Sequence, residues 1–272
     1  MLEILAYPPV LRGFILLCIA GLTFPLGGVF ILRMNLLPLR FLMMHGVLLG
    51  GALGLALGWD LSVTTLAVNL LLIFGLNRSV SVLKTDYGHM SMFFMITSIA
   101  LALVIISRFH VPAKDTMVLL WGSLYTNDMM SLVFGGVLGL ALVLFSVFFF
   151  RQLTALFHDR DIALSLGIRV PFFELMVMLF IALVVASAMR LMGALLLDAL
   201  ILLPVITASF IASGLKKMMV YSSLFGVLFA VSGFFISLFL DIPVSAGASL
   251  PAGLIFLIIL LTQRSFLHAK TT

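Results

Sequence analysis

The segment MGALLLDALILLPVITASFIA, residues 192–212, contains twenty uncharged residues and a single carboxylate, Asp198. A run of about twenty apolar residues is long enough to cross the hydrocarbon core of a bilayer as a helix. An ionised aspartate at the centre of such a helix costs about 2.5–3.5 kcal/mol on insertion scales, so the acid must be neutral, paired or in contact with water. The segment therefore predicts a membrane span. We expect Asp198 to line a path for a cation. Alternatively, it is protonated and forms a hydrogen bond with a neighbouring helix.

The composition of the whole chain indicates a membrane protein. Hydrophobic residues make up 64% of the 272 residues and charged residues only 9%, whereas about a quarter of an average soluble domain is charged. The mean hydropathy is +1.34. The single cysteine, Cys18, excludes a disulfide framework and a cysteine-based metal cluster. We expect no permanently bound cofactor.

Apolar segments recur along the chain and predict about nine transmembrane helices. We expect an all-α, polytopic fold with one transmembrane domain, residues 1–272, whose first span is retained rather than cleaved as a signal peptide. The stretch 108–129 could hold a re-entrant or surface helix. The predicted spans are roughly 12–32, 41–58, 61–77, 90–107, 130–150, 171–189, 192–212, 218–240 and 249–263.

The positions of the basic residues predict the orientation of these spans. With the amino terminus outside, eleven Lys and Arg residues fall in inside loops and four outside, which agrees with the positive-inside rule. The carboxyl terminus is then cytoplasmic. Because topology accounts for the net charge of +5, we expect no binding of nucleic acid.

Two features of the first spans concern helix packing. In the second span Gly46, Gly50, Gly54 and Gly58 recur every four residues and predict a stripe that another helix approaches closely. In the first span Pro25 removes a backbone hydrogen bond. It predicts either a broken helix near a substrate path or an ordinary packing kink.

His45, just inside the second span, is the other candidate for a metal path. Imidazole and carboxylate are ligands that suit zinc and manganese, and a site made of His45 and Asp198 alone would hold an ion weakly enough to release it. Cys18 and Glu174 are further possible ligands. Alternatively, His45 is a neutral imidazole satisfied near the interface. A copper(I) path through the sixteen methionines is disfavoured, because adjacent methionines do not share a helix face.

The longest inside loop, residues 151–170, predicts a short amphipathic helix. Asp159 stands where acids favour a helix amino terminus, and Gly167 stands where a glycine can end it. Such a helix could dock on a partner protein, or it could be an interfacial turn. Because the chain contains no GxxxxGK[ST] phosphate loop, ATP would have to be bound and hydrolysed by a separate subunit.

Five stretches, in order along the chain, resemble the zinc/manganese permease family of ABC importers. RFLMMHGVLLGGALG resembles the family's GDALSHAVLPGVALG, and VLLWGSLYTNDMMSL resembles its outside segment. FHDRDIALSLGIRVPFFE resembles the D-x-x-x-A-x-x-x-G loop, with Asp159, Ala163 and Gly167 in the matching places. LMGALLLDALILLPVITA and DIPVSAGA resemble a later span and its D-x-P-x-G turn.

The resemblance implies a type II ABC-importer permease in the bacterial cytoplasmic membrane, with no catalysis of its own. It implies pairing as a homodimer or heterodimer, two ATPase subunits that carry ATP, and an extracytoplasmic metal-binding protein that delivers zinc, manganese or iron. Asp159, Ala163 and Gly167 would form the coupling helix on which the ATPase docks. His45 would correspond to the family's histidine in the metal path.

The chain departs from the family at three positions. The family's aspartate four residues before the histidine is Phe41 here, its proline after the histidine is Leu49, and Asp198 replaces a small or hydroxylic residue. We hypothesise that the lost carboxylate has moved to Asp198 and shares an ion with His45. Alternatively, the chain has lost the family's metal preference or is one half of a heterodimer. An ion-coupled secondary carrier that uses Asp198 is the second functional hypothesis. An intramembrane enzyme is disfavoured because the chain has no paired catalytic motif such as HExxH.

Overall fold

The fold is described by a computed structural model that covers residues 7–112 and 124–268. The helices are α1 Pro8–Arg33, α2 Leu37–Leu57, α3 Leu61–Leu83, α4 Tyr87–Arg108, α5 Met129–Phe148, α6 Phe150–His158, α7 Arg160–Ser165, α8 Val170–Met192, α9 Ala194–Ile201, α10 Leu203–Ile211, α11 Leu215–Leu240 and α12 Val244–His268.

The expected all-α, multi-span fold is confirmed. Within residues 7–112 and 124–268, nine segments are long and apolar enough to cross a membrane, and α9 and α10 together form the seventh of them. A short 3-10 helix, Leu124–Thr126, precedes α5. Residues 113–123 lie outside the described part, so the surface helix expected within 108–129 stays a prediction.

The seventh span is interrupted at one residue, Leu202, which the sequence did not lead us to expect. Leu202 keeps right-handed helical dihedral angles, φ −93° and ψ −48°, so the chain is not unwound there. Helix α9 ends at Ile201 and α10 begins at Leu203, with Pro204 as its second residue. Proline is tolerated in the first turn of a helix, but without an N–H it cannot bond the carbonyl four residues earlier. Pro25, by contrast, lies inside one continuous α1, so the broken helix considered for the first span is wrong.

The described residues fall into two compact units. Unit 1 comprises Met1–Val29, Tyr125–Val143 and Leu195–Thr272, and unit 2 comprises Phe30–Leu124 and Leu144–Ala194. In unit 1, α1 packs against α11 with the Phe14 and Phe234 ring centroids 4.7 Å apart. A methyl group placed on Gly21 would lie 2.6 Å from the Gly226 carbonyl oxygen, so these two backbones are nearly in contact.

In unit 2, α2 contacts α3, α4 and α8. Three of the four stripe glycines face α3: a methyl group added at Gly46, Gly50 or Gly54 would lie 2.6 Å from an atom of Asn69, Thr65 or Thr64 respectively. Gly58 departs from the predicted stripe, because no atom lies within 4 Å of the position of its missing Cβ. Instead, it ends α2 with a left-handed φ of 70°, a conformation that glycine adopts without strain.

Candidate functional site

Asp198 lies on α9, one turn before the break in the seventh span. Its backbone carbonyl accepts the Leu202 N–H at 3.1 Å, and its side chain is half-buried between the buried Leu197 and Ala199. Helix α1 approaches this break closely, since Gly28 lies directly against the Ile201 carbonyl. Discontinuous membrane helices are common around the binding sites of transporters. The carboxylate therefore lies one turn from the interruption of its span, and its role in a metal path stays a prediction.

His45 is half-buried on α2, and its ring is fixed by its own helix. Its Nδ1 lies 2.8 Å from the Phe41 carbonyl oxygen. Because a carbonyl only accepts hydrogen bonds, Nδ1 carries the proton, and the lone pair of a neutral ring is on Nε2. Metal-ligating histidines are usually held in this way through their other ring nitrogen. His45 is thus oriented to offer Nε2 as a ligand.

Position 41, where the resemblance places a carboxylate, contains an aromatic ring that faces a cation. The Arg40 guanidinium carbon lies 4.7 Å from the centroid of the Phe41 ring, within the range of a cation–π interaction. The Arg40 side chain is almost fully buried, with 1% of its surface exposed. Phe41 therefore contributes packing around an arginine and cannot be a metal ligand.

Asn69 on α3 is a polar residue that sequence reasoning passed over, because only ionisable groups were considered within the spans. Its side-chain N–H donates to the Thr65 carbonyl at 3.0 Å. Its Oδ1 is buried and has no hydrogen-bond partner among the described residues. This oxygen faces Gly46, the neighbour of His45 in the chain. An amide in the middle of an apolar segment was the signal that could have identified it.

The predicted metal ligands do not form one cluster within a unit. His45 belongs to unit 2 and Asp198 to unit 1, so the hypothesis that they share an ion stays a prediction. In residues 7–112 and 124–268 no three His, Cys, Asp or Glu side chains converge on a metal-sized site. Glu174 is engaged elsewhere, because its Oε1 accepts a hydrogen bond from Arg160 Nε at 2.9 Å. Cys18 is a half-buried residue of α1.

The loop helix α7 has the ends that its sequence predicts. The Asp159 carboxylate accepts the N–H groups of Asp161 at 2.8 Å and Ile162 at 3.0 Å, which is an N-cap. Hydrogen bonds from Ile162 and Asp161 hold the pKa of the Asp159 carboxyl below its usual range, so the cap is ionised at neutral pH. At the other end Gly167 has φ +74°, and the Ile168 N–H returns to the Ala163 carbonyl at 3.1 Å, as in a Schellman motif.

Helix α7 has one face in the protein interior and one face outside it. Ala163 is completely buried, so it lies beneath the helix and not on its exposed face. The exposed face is partly apolar, with Ile162 and Leu164 each 45% exposed and Leu166 66% exposed. Of the three residues predicted to form the docking helix, Asp159 and Gly167 lie at its exposed ends.

Comparisons with known proteins match the chain to a transport family and to named relatives. The sequence pattern described as "ABC 3 transport family" matches residues 6–263. The manganese import system permease protein ScaB of Streptococcus pneumoniae is 30% identical over 236 residues, 85% of this chain and 82% of the relative. The high-affinity zinc uptake system membrane protein ZnuB of Haemophilus influenzae is 26% identical over 261 residues, 96% of this chain and 97% of the relative.

A solved structure shows the same fold. PsaBC from Streptococcus pneumoniae in complex with Fab superimposes with a TM-score of 0.81 at 24% identity, covering 95% of this chain and 93% of that chain. Because the family pattern covers nearly the whole sequence, the chain belongs to the ABC 3 transport family.

Proposed function

We propose that this chain is the membrane-spanning permease subunit of an ATP-driven importer for divalent transition-metal ions, namely manganese, zinc or iron. The observation that carries the proposal is α7, a capped and exposed helix between two spans of a chain that belongs to an ABC transport family. The relatives named for manganese and zinc uptake support this class of substrate. In this proposal residues 1–272 act as one permease domain, and residues 151–170 form its coupling loop.

The ATPase subunit docks on α7 from the cytoplasm. The exposed apolar side chains Ile162, Leu164 and Leu166 suit a protein partner, since an interface contains apolar side chains that binding removes from water. The chain has no phosphate loop, so ATP is bound and hydrolysed on that partner. Two permease chains, identical or related, pair within the surrounding lipid.

The amino terminus faces outside and the carboxyl terminus faces the cytoplasm. This orientation places eleven of the fifteen basic residues inside, as the positive-inside rule requires. An extracytoplasmic metal-binding protein delivers the ion to the outer side. The ion then passes His45 and Asp198, whose imidazole and carboxylate groups are suitable ligands for it.

Reconstitution tests the proposal against the secondary-carrier alternative. We expect the purified chain alone to transport no manganese or zinc into liposomes, because the energy for import comes from ATP on the partner. Addition of the ATPase subunit, the binding protein and ATP should start uptake of the radioactive ion. Ion uptake by the chain alone, driven by a proton or sodium gradient, would instead support the carrier.

Asp198→Asn tests the metal path. The amide keeps the size and polarity of the side chain but loses its charge and most of its affinity for a metal ion. We expect uptake to fall by about tenfold or more, which corresponds to a transport barrier raised by roughly 1.4 kcal/mol. The amount of folded protein in the membrane should change much less. Uptake by the reconstituted complex, divided by the amount of permease, measures the effect.

Asp241→Asn is the matched control for this substitution. Asp241 is exposed at the end of α11 with a left-handed φ of 52°, a conformation that asparagine tolerates. We expect its uptake to equal that of the wild type. Normal uptake by Asp198→Asn would mean that the acid is structural.

A further inference from the structure

We propose that the ion pair between Arg160 and Glu174 is the link that transmits movement of the coupling helix α7 to the membrane helix α8. This inference rests on the proposed function, since it gives a role to two residues behind the ATPase docking surface. It assigns Arg160 and Glu174 as positioning residues. Neither residue contacts ATP or the transported ion in this role.

The pair joins the first residue of α7 to the beginning of α8. Arg160 directly follows the cap residue Asp159, and its Nε donates to Glu174 Oε1 at 2.9 Å. Glu174 is the fifth residue of α8, and only 10% of its side chain is exposed, compared with 57% for Arg160. The arginine thus reaches from the surface helix to a carboxylate that is almost enclosed. A charge-assisted hydrogen bond of this length fixes the position of the donor relative to the acceptor.

The backbone between the two helices is a poor transmitter. After α7 the chain turns at Gly167, with φ +74°, and Ile168 and Arg169 are not helical. Such a connection can absorb a rotation of α7 through small changes of its dihedral angles. With six residues, α7 is also too short to be stable by itself. Contacts with α6, which ends one residue before Asp159, and with α8 therefore hold α7 in place, and those with α8 are the route to the membrane helix.

The contacts beneath α7 differ in what they can transmit. Ala163 is buried under the helix, and this packing resists compression but pairs no specific donor with an acceptor. The ion pair fixes one donor against one acceptor, with Nε and Oε1 2.9 Å apart. The pKa of Arg160 is raised because Glu174 accepts its hydrogen bond and carries the opposite charge. Separation of the two groups would leave a nearly buried carboxylate without its cation, which is unfavourable.

The pair also borders a cavity that reaches other helix ends of unit 2. The cavity has a volume of about 300 Å3, and besides Arg160 and Glu174 it is lined by Arg33 and Asn35 at the end of α1 and by Asp86 and Tyr87 at the start of α4. The Tyr87 hydroxyl donates to Asn77 Oδ1 on α3 at 2.9 Å. The Arg160 side chain therefore has space in which to shift, beside the end of α1 and the start of α4.

The test is the number of ATP molecules hydrolysed per ion imported by the assembled transporter in liposomes. We expect Arg160→Gln and Glu174→Gln each to raise this ratio by about fivefold or more, the lower end of typical coupling effects. ATP hydrolysis continues because the docking face is intact, but the movement no longer reaches α8. The exchanged double variant, Arg160→Glu with Glu174→Arg, should restore the ratio to within about twofold of the wild type if the pair itself is what couples.

Arg169→Gln is the matched control. Arg169 is exposed in the same loop and carries the same charge as Arg160, but it is not part of the pair. We therefore expect Arg169→Gln to leave the number of ATP molecules hydrolysed per imported ion unchanged. Because Arg160 is more than half exposed, Arg160→Gln should fold. This variant alone tests the inference if Glu174→Gln does not accumulate in the membrane. An unchanged ratio for Arg160→Gln overturns the inference. If the wild-type complex imports no metal, the proposed function itself fails.

Discussion

Gly167→Arg is expected to abolish metal uptake while the permease remains folded in the membrane. The glycine has φ +74°, and no atom lies within 4 Å of the position of its missing Cβ. Arginine therefore meets no steric obstacle inside the chain, although the left-handed backbone costs about 1 kcal/mol for a residue with a side chain. Its bulk and charge would extend from the end of α7 into the space that the docked ATPase occupies. ATP-dependent uptake and co-purification of the ATPase measure the effect.

Gly214→Arg is the control for this substitution. Gly214 also has free space around it, and it lies in another loop on the proposed cytoplasmic side. Its φ of 171° is extended backbone that any residue adopts. We expect normal uptake from Gly214→Arg and a small loss from Gly167→Ala, which introduces the backbone strain without the bulk. Normal uptake and normal ATPase binding by Gly167→Arg would contradict docking on this loop.

Gly28→Ala is expected to destabilise the fold more than any other single added methyl group discussed here. The new Cβ would overlap the Ile201 carbonyl and approach Val205 Cγ2 to 2.8 Å. Helix α1 would have to move away from the break between α9 and α10, and overpacking of this kind typically costs about 1–3 kcal/mol. We expect a lower midpoint of thermal unfolding in detergent and less folded protein after gel filtration.

Gly136→Ala provides the comparison. Gly136 lies in α5 of the same unit, and no atom lies within 4 Å of its missing Cβ. Alanine is favoured over glycine in a helix by up to about 1 kcal/mol, so the stability of Gly136→Ala should be unchanged or slightly higher. Equal stability of Gly28→Ala and Gly136→Ala would mean that the close approach of α1 to Ile201 is not required for the fold.

The candidate site could be predicted from the sequence only in part. His45 and Asp198 are recognisable because a polar group in an apolar span is unusual. Asp159 and Gly167 are recognisable because the caps of a helix are formed by residues close together in the sequence. The sequence did not indicate that Arg160 meets Glu174, fourteen positions later. That contact depends on the angle at which the chain turns between α7 and α8. Nor did it indicate that Phe41 lies against a buried Arg40.

The two prolines illustrate the same distinction within a membrane helix. Pro25 and Pro204 both lie in apolar spans and both remove one backbone hydrogen bond. The helix continues through Pro25 but is broken before Pro204. In unit 1 the Ile201 carbonyl beside this interruption lies against Gly28.

The sequence by itself determined the membrane class, the number of spans in the described ranges and the limits of α7. These properties depend on stretches of about twenty apolar residues and on hydrogen bonds between residues a few positions apart. Only the tertiary structure decided that Ala163 is buried, that Gly58 ends α2 instead of packing, and that Glu174 binds Arg160. These contacts join residues on different helices or depend on which helix face is covered, and local sequence does not specify the packing of one helix against another.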